Sequence, residues 1–157
     1  MKQLFLLGLV ALSLWAATQK VEIESLSFEA SEQEGKSIFT GNVSIKKAND
    51  RMYADRVSVY VDENKQIKRF DAEGNTSFVL NFEDNTSFEG TADRFVYEPI
   101  KGELVLTGNA MIKDLANARE IRGEQVILYE KTKEAKVLGE DSRPVKLIFE
   151  MEEGESK

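Results

Sequence analysis

The sequence predicts an all-β, antiparallel protein, and three observations carry that prediction. Between its two ends, nearly every apolar run alternates with polar residues at period two, the pattern of a strand with one buried face. Runs of five to eight residues are joined by charged or glycine-containing turns, which makes an antiparallel sheet. The dipeptide Gly-Asn, or a close copy, returns at Gly41-Asn42, Gly74-Asn75, Gly108-Asn109 and Gly139-Glu140, about every 31 to 34 residues. A chain that repeats this way is built from copies of one sheet unit.

From the N-terminus, Lys2 supplies one positive charge and residues 4–15 form an uncharged apolar run, short for a bilayer. With Trp15-Ala16-Ala17 behind it, this segment is expected to be a secretory signal peptide over residues 1–17, an uncleaved membrane anchor being the alternative. Residues 18–150 then make one domain of ordinary size, and residues 151–157 an acidic, disordered tail. The chain has no cysteine, so it forms no disulfide and carries no lipid through cysteine.

Within the domain, Val21-Glu22-Ile23-Glu24 is the first clear strand. Phe39-Thr40-Gly41-Asn42-Val43-Ser44-Ile45 follows, and Leu106-Thr107-Gly108-Asn109-Ala110-Met111-Ile112 repeats its Thr, Gly, Asn and final Ile. A second phrase, at Ala54-Asp55-Arg56-Val57, Ala92-Asp93-Arg94-Phe95 and Gly123-Glu124-Gln125-Val126, is expected to open a strand each time. Turns fall at 62–65, 83–85, 99–102 and 130–133, and the helix formers of 115–120 are too few to be more than a loop. Val145-Lys146-Leu147-Ile148-Phe149 is the last strand. The unit is a pair of hairpin strands stacked on the previous pair, giving a rolled or elongated sandwich.

Aligning the repeats places Val57, Val59 and Val61, Phe95 and Tyr97, and Val126 and Leu128 on one side of successive strands. Ser58, Tyr60, Arg94, Gln125 and Tyr129 take the other side. Periodicity does not distinguish a filled core from a lipid groove on that inner face.

Composition excludes much chemistry. With no histidine and no cysteine, imidazole bases, thiol nucleophiles and the commonest zinc ligands are absent, so neither a metal nor a cofactor is expected. Asp55, Asp93 and Glu124 recur at equivalent repeat positions, which marks them as structural rather than a catalytic pair. Gly-Asn leads into a strand and not a helix, so it is no phosphate loop. The Asn-x-Ser sequences at Asn42, Asn75 and Asn85 are turn chemistry before they are glycan acceptors. The net charge is −7, and −8 once Lys2 leaves with the leader, which argues against a nucleic-acid partner.

In their order and spacing, Phe39-Thr40-Gly41-Asn42-Val43, Ala54-Asp55-Arg56-Val57, Val105-Leu106-Thr107-Gly108-Asn109-Ala110 and Ile121-Arg122-Gly123-Glu124-Gln125-Val126 resemble the OstA-like family, over residues 19–149. The resemblance implies an elongated, twisted antiparallel β-jellyroll, open at both ends, working in the periplasm as a non-enzymatic carrier. Its inner face would hold the acyl chains of lipopolysaccharide. Copies would join end to end, and the ends would also meet an LptC-like inner-membrane adaptor and an LptD-like outer-membrane protein by strand addition. The lipid-binding set carried over is Val21, Ile23, Val61, Val79 and Tyr97, with Val57, Val59, Phe95, Val126 and Leu128 on the same face. At Val61 the chain departs from a relative that has an arginine, so no head-group contact is implied there.

An acidic protein would hold this anionic lipid mainly through its hydrocarbon. The alternatives are an LptC-like membrane-anchored adaptor, which would retain its first residues, and a closed β-scaffold with a filled interior and no ligand.

Overall fold

The computed structural model describes residues 20–81 and 85–152. The predicted leader and most of the predicted tail lie outside the described residues. Among the described residues ten strands form one antiparallel sheet: β1 (Val21–Glu24), β2 (Ser27–Ser31), β3 (Lys36–Lys47), β4 (Asp50–Val61), β5 (Ile67–Asn81), β6 (Ser87–Glu98), β7 (Glu103–Asp114), β8 (Arg119–Tyr129), β9 (Glu134–Leu138) and β10 (Lys146–Phe149). Strands β3 to β8 pair in chain order. At one edge β1 and β2 share β3, and at the other β9 and β10 share β8, so the sheet stays open.

The repeated phrases lie in the middle of the long strands, not at their openings. Gly41-Asn42, Gly74-Asn75 and Gly108-Asn109 all have positive φ, from 82° to 89° at the glycines and 46° to 48° at the asparagines. The cross-strand register shifts at each of them, so each is a β-bulge. On the intervening strands the register passes over Asp55, Asp93 and Glu124, and each of these and the residue after it, Arg56, Arg94 or Gln125, does not point inward. This is why the buried series steps from Ala54 to Val57 and from Ala92 to Phe95 instead of keeping an even spacing. Gly139 lacks the positive φ of the other three, and Glu140 closes a small bridge with Arg143 where the chain passes from β9 to β10. Val145 precedes the last strand, which begins at Lys146.

The line of bulges folds the sheet onto itself. One leaf contains 36–40, 56–61, 67–73, 94–98, 103–107 and 125–129 with β2 and β9; the other contains the remaining halves of the long strands with β1 and β10. Across the first leaf Phe39, Val57, Ala72, Phe95, Leu106 and Val126 stand in register as one apolar row, all buried. From the second leaf the Phe78 ring meets Phe95 edge-on, at 5.3 Å between centroids. Gly90 makes room for that ring, because a Cβ there would stand 2.8 Å from Phe78 Cε1.

Polar ties secure the outside and the turns. Asp71 is buried on the outer face, where Arg94 reaches it with two hydrogen bonds (3.0 and 2.6 Å) and Arg69 with one at 3.4 Å. Burial alone would raise the Asp71 pKa, but the two guanidiniums outweigh it and the carboxyl is held below its ordinary value.

Asp114 closes the β7–β8 hairpin, accepting hydrogen bonds from the N–H groups of Ala116 and Asn117, from Asn117 Nδ2 (2.9 Å) and from Arg119 Nη2 (2.8 Å). Asn117 first and Arg119 next pull its pKa down to about 2. Because the folded value lies below the unfolded one, about 4, this carboxylate stabilises the fold above pH 4 and loses that contribution as the pH falls toward 2. Asp114→Asn is expected to cost on the order of 2 kcal/mol at pH 7. It should also flatten the acid loss of stability between pH 4 and pH 2, measured by urea unfolding across that range.

Candidate functional site

Between the two leaves runs a trough of about 550 Å³. Its walls are Ile45, Met52 and Leu80 from the second leaf and Phe70, Phe95, Tyr97, Leu104 and Leu128 from the first, with Lys47, Asp50, Arg51 and Glu130 at its mouth. The first-leaf wall follows from register: Phe70 pairs with Tyr97, Tyr97 with Leu104 and Leu104 with Leu128, so four apolar side chains stand in a row across β5 to β8. The Glu130 carboxylate lies beside the Tyr97 ring. Burial first, and that neighbouring anion second, push the Tyr97 pKa up to about 12, so the ring stays neutral at the trough wall.

The sequence-predicted residues divide into four groups. Phe95, Tyr97 and Leu128 line the trough. Val57, Val59 and Val126 are on the same inner face but fully packed beneath it, at 2% exposure or less. Ile23 pairs with Ile45 and Val21 with Lys47, which puts both at the β1 edge of the inner face, while Val61 pairs with Ile67 at the lip of the first leaf. Val79 is a correction: it lies on the outer face, in register with Arg51 and Glu89, because its neighbours Phe78 and Leu80 turn inward.

Sequence reasoning missed Ile45, Met52, Phe70, Leu80 and Leu104. Phe70 and Leu104 were within reach of a strand-by-strand register drawn from Tyr97.

Among the described residues no three His, Cys, Asp or Glu side chains converge as a metal site, and no helix is long and apolar enough to cross a membrane.

An open antiparallel sheet folded around an apolar trough makes this protein an open β-jellyroll. Residues 22–134 match the family model described as LptA/(LptD N-terminal domain) LPS transport protein, and the chain belongs to that family. It is a family of transport proteins and not of enzymes. The fold is also similar to the crystal structure of LptH, the LptA-homologous periplasmic component of the lipopolysaccharide transport device of Pseudomonas aeruginosa. That likeness has a TM-score of 0.70 at 12% identity and covers 85% of this chain and 96% of that one. No curated protein matches the chain.

Proposed function

We propose that this protein is a periplasmic carrier whose trough holds the acyl chains of lipopolysaccharide, and that copies join edge to edge so the trough continues from one to the next. The observation that carries the reading is the trough itself, apolar along its walls and charged only at its mouth. Burying roughly 200 Å² of hydrocarbon there is worth about 5 kcal/mol, enough to hold a chain and still release it.

The topology supports the joint. β1 runs antiparallel to β3 and β10 antiparallel to β8, and the six long strands alternate between them, so β1 and β10 run in opposite directions. The same count applies to β2 and β9. A second copy in the same orientation therefore meets the first with its antiparallel order unbroken. The waiting edge is sticky: Leu147, Ile148 and Phe149 are 42% to 56% exposed, and consecutive residues expose both faces of β10.

A photoreactive residue at Tyr97 or Leu128 is expected to crosslink to lipopolysaccharide in the purified protein, and one at Val79 is not. Equal crosslinking from Val79, or none from either inner position, would refute the trough as the binding surface.

A further inference from the structure

The lip of the first leaf is amphipathic in a way the trough is not. Inside it, a second pocket of about 420 Å³ is lined by Gln66, Ile67, Phe70, Tyr97, Pro99 and Ile100. Phe70 and Tyr97 are also walls of the trough, so the two spaces adjoin. The volume is well above the ~150 Å³ in which an apolar cavity already takes up benzene.

Outside the lip, a smaller hollow of about 290 Å³ is lined by Tyr60, Lys68, Arg69, Glu98, Ile100 and Lys101. Ile100 belongs to both hollows and is 57% exposed.

A local irregularity makes this arrangement. The register of β4 with β5 steps from Tyr60↔Arg69 to Val61↔Ile67, so Lys68 is an extra residue. The bulge lets Ile67 and Phe70 share the inner side and leaves Lys68 and Arg69 together on the outer one.

The turn that carries Ile100 is held in place. Lys131 Nζ donates to the Ile100 carbonyl at 3.1 Å, the Glu130 N–H donates to the Gly102 carbonyl at 2.8 Å, and Lys101 pairs with Glu98 at 3.2 Å. Lys36 adds a further cation over the Tyr60 ring, 5.2 Å from its centroid. Among the described residues Arg69 makes one ion pair, the longer contact with Asp71, which Arg94 already holds. On a chain of net charge −7, this gathering of Lys36, Lys68, Arg69 and Lys101, against the two carboxylates Glu98 and Asp71 that they touch, is a local excess of positive charge.

We infer that this lip is a binding site for the phosphorylated end of the transported lipid, with a hydrocarbon chain in the inner pocket and a phosphate on Lys68, Arg69 and Lys101 outside. The inference rests on the carrier reading above and adds a head-group site to it. Guanidinium and ammonium groups beside an apolar slot fit a phosphate on the same sugar that bears an acyl chain, and the pocket adjoining the trough places that chain beside the others. The lipid thus crosses the sheet edge at Ile100.

The test uses the full mature chain with purified lipopolysaccharide and a chemically dephosphorylated preparation of it. A photoreactive residue at Ile100 should crosslink to lipopolysaccharide as one at Leu128 does. The double variant Lys68→Gln/Lys101→Gln, whose changes are both on exposed side chains, should weaken binding of the phosphorylated lipid roughly fivefold or more and leave the dephosphorylated lipid unchanged.

Crosslinks from Leu128 without any from Ile100, or equal losses for both lipids, would overturn the lip site and leave the trough standing. No crosslink from Leu128 would remove the carrier reading beneath it. If the double variant keeps its affinity for lipopolysaccharide but no longer sediments with phosphatidylglycerol vesicles, the cations serve a membrane surface and the inference fails.

Discussion

Gly108→Ala is expected to destabilise the fold by about 3 kcal/mol, a large effect for one methyl group. Gly108 has φ +84°, where a side chain is strained whatever the space around it. The space is also taken, because a Cβ there would stand 2.7 Å from the Cβ of Asp93. Asp93 lies on the two-residue step of β6, so it cannot retreat without moving the register of two strands. Gly74 stands in the same relation to Asp55, whose carboxylate Oδ2 accepts a hydrogen bond from Asn75 Nδ2 at 3.2 Å. At these two copies the repeated phrases are halves of one device, in which an aspartate packs where the glycine has no side chain, whereas at Gly41 it is Leu26 that takes this space. Asn109→Gly is the control. Its φ of 48° is one that glycine adopts freely, so urea midpoints should separate the two variants clearly, with the second within about 0.5 kcal/mol of the parent.

That device also explains what the sequence made legible. Gly-Asn announces positive φ, and alternation announces strands, so the all-β class and the bulges were within reach. Their place was not, since a turn and a bulge ask for the same residues. The inner face could be followed along Val57, Val59 and Val61 because no bulge interrupts them before the lip. It could not be followed back past Asp55-Arg56, where two successive residues leave the inner face and the phase changes, so Met52 and Ile45 were invisible from Val57. Val79 came with the family resemblance and not from the alternation, and the stretch from Ala72 to Phe78 crosses Gly74-Asn75, so only its register with β4 and β6 shows that Phe78 and Leu80 turn inward instead. Lys68 repeats the lesson at the lip, where one extra residue converts an alternating pattern into an apolar inside and a cationic outside.

Phe95→Ala is expected to cost about 3 to 5 kcal/mol, the range for removing a buried aromatic ring. Phe95 is 5% exposed and contacts rings on both sides of the fold line, Phe78 from the second leaf at 5.3 Å and Phe70 from its own at 6.0 Å, each edge-on. Phe28→Ala is the comparison. Phe28 packs on Phe39 at 4.8 Å but is 42% exposed at the sheet edge, so its loss should stay near 1 kcal/mol. Phe95 is also a wall of the trough, so truncating it widens the space between the leaves as well as loosening them. An acyl chain in the widened trough would replace part of the lost apolar contact. Purified lipopolysaccharide should then raise the urea midpoint of Phe95→Ala by more than it raises that of the parent, and should give Phe28→Ala no such excess. Equal responses in all three proteins would mean that Phe95 joins the leaves without touching the cargo.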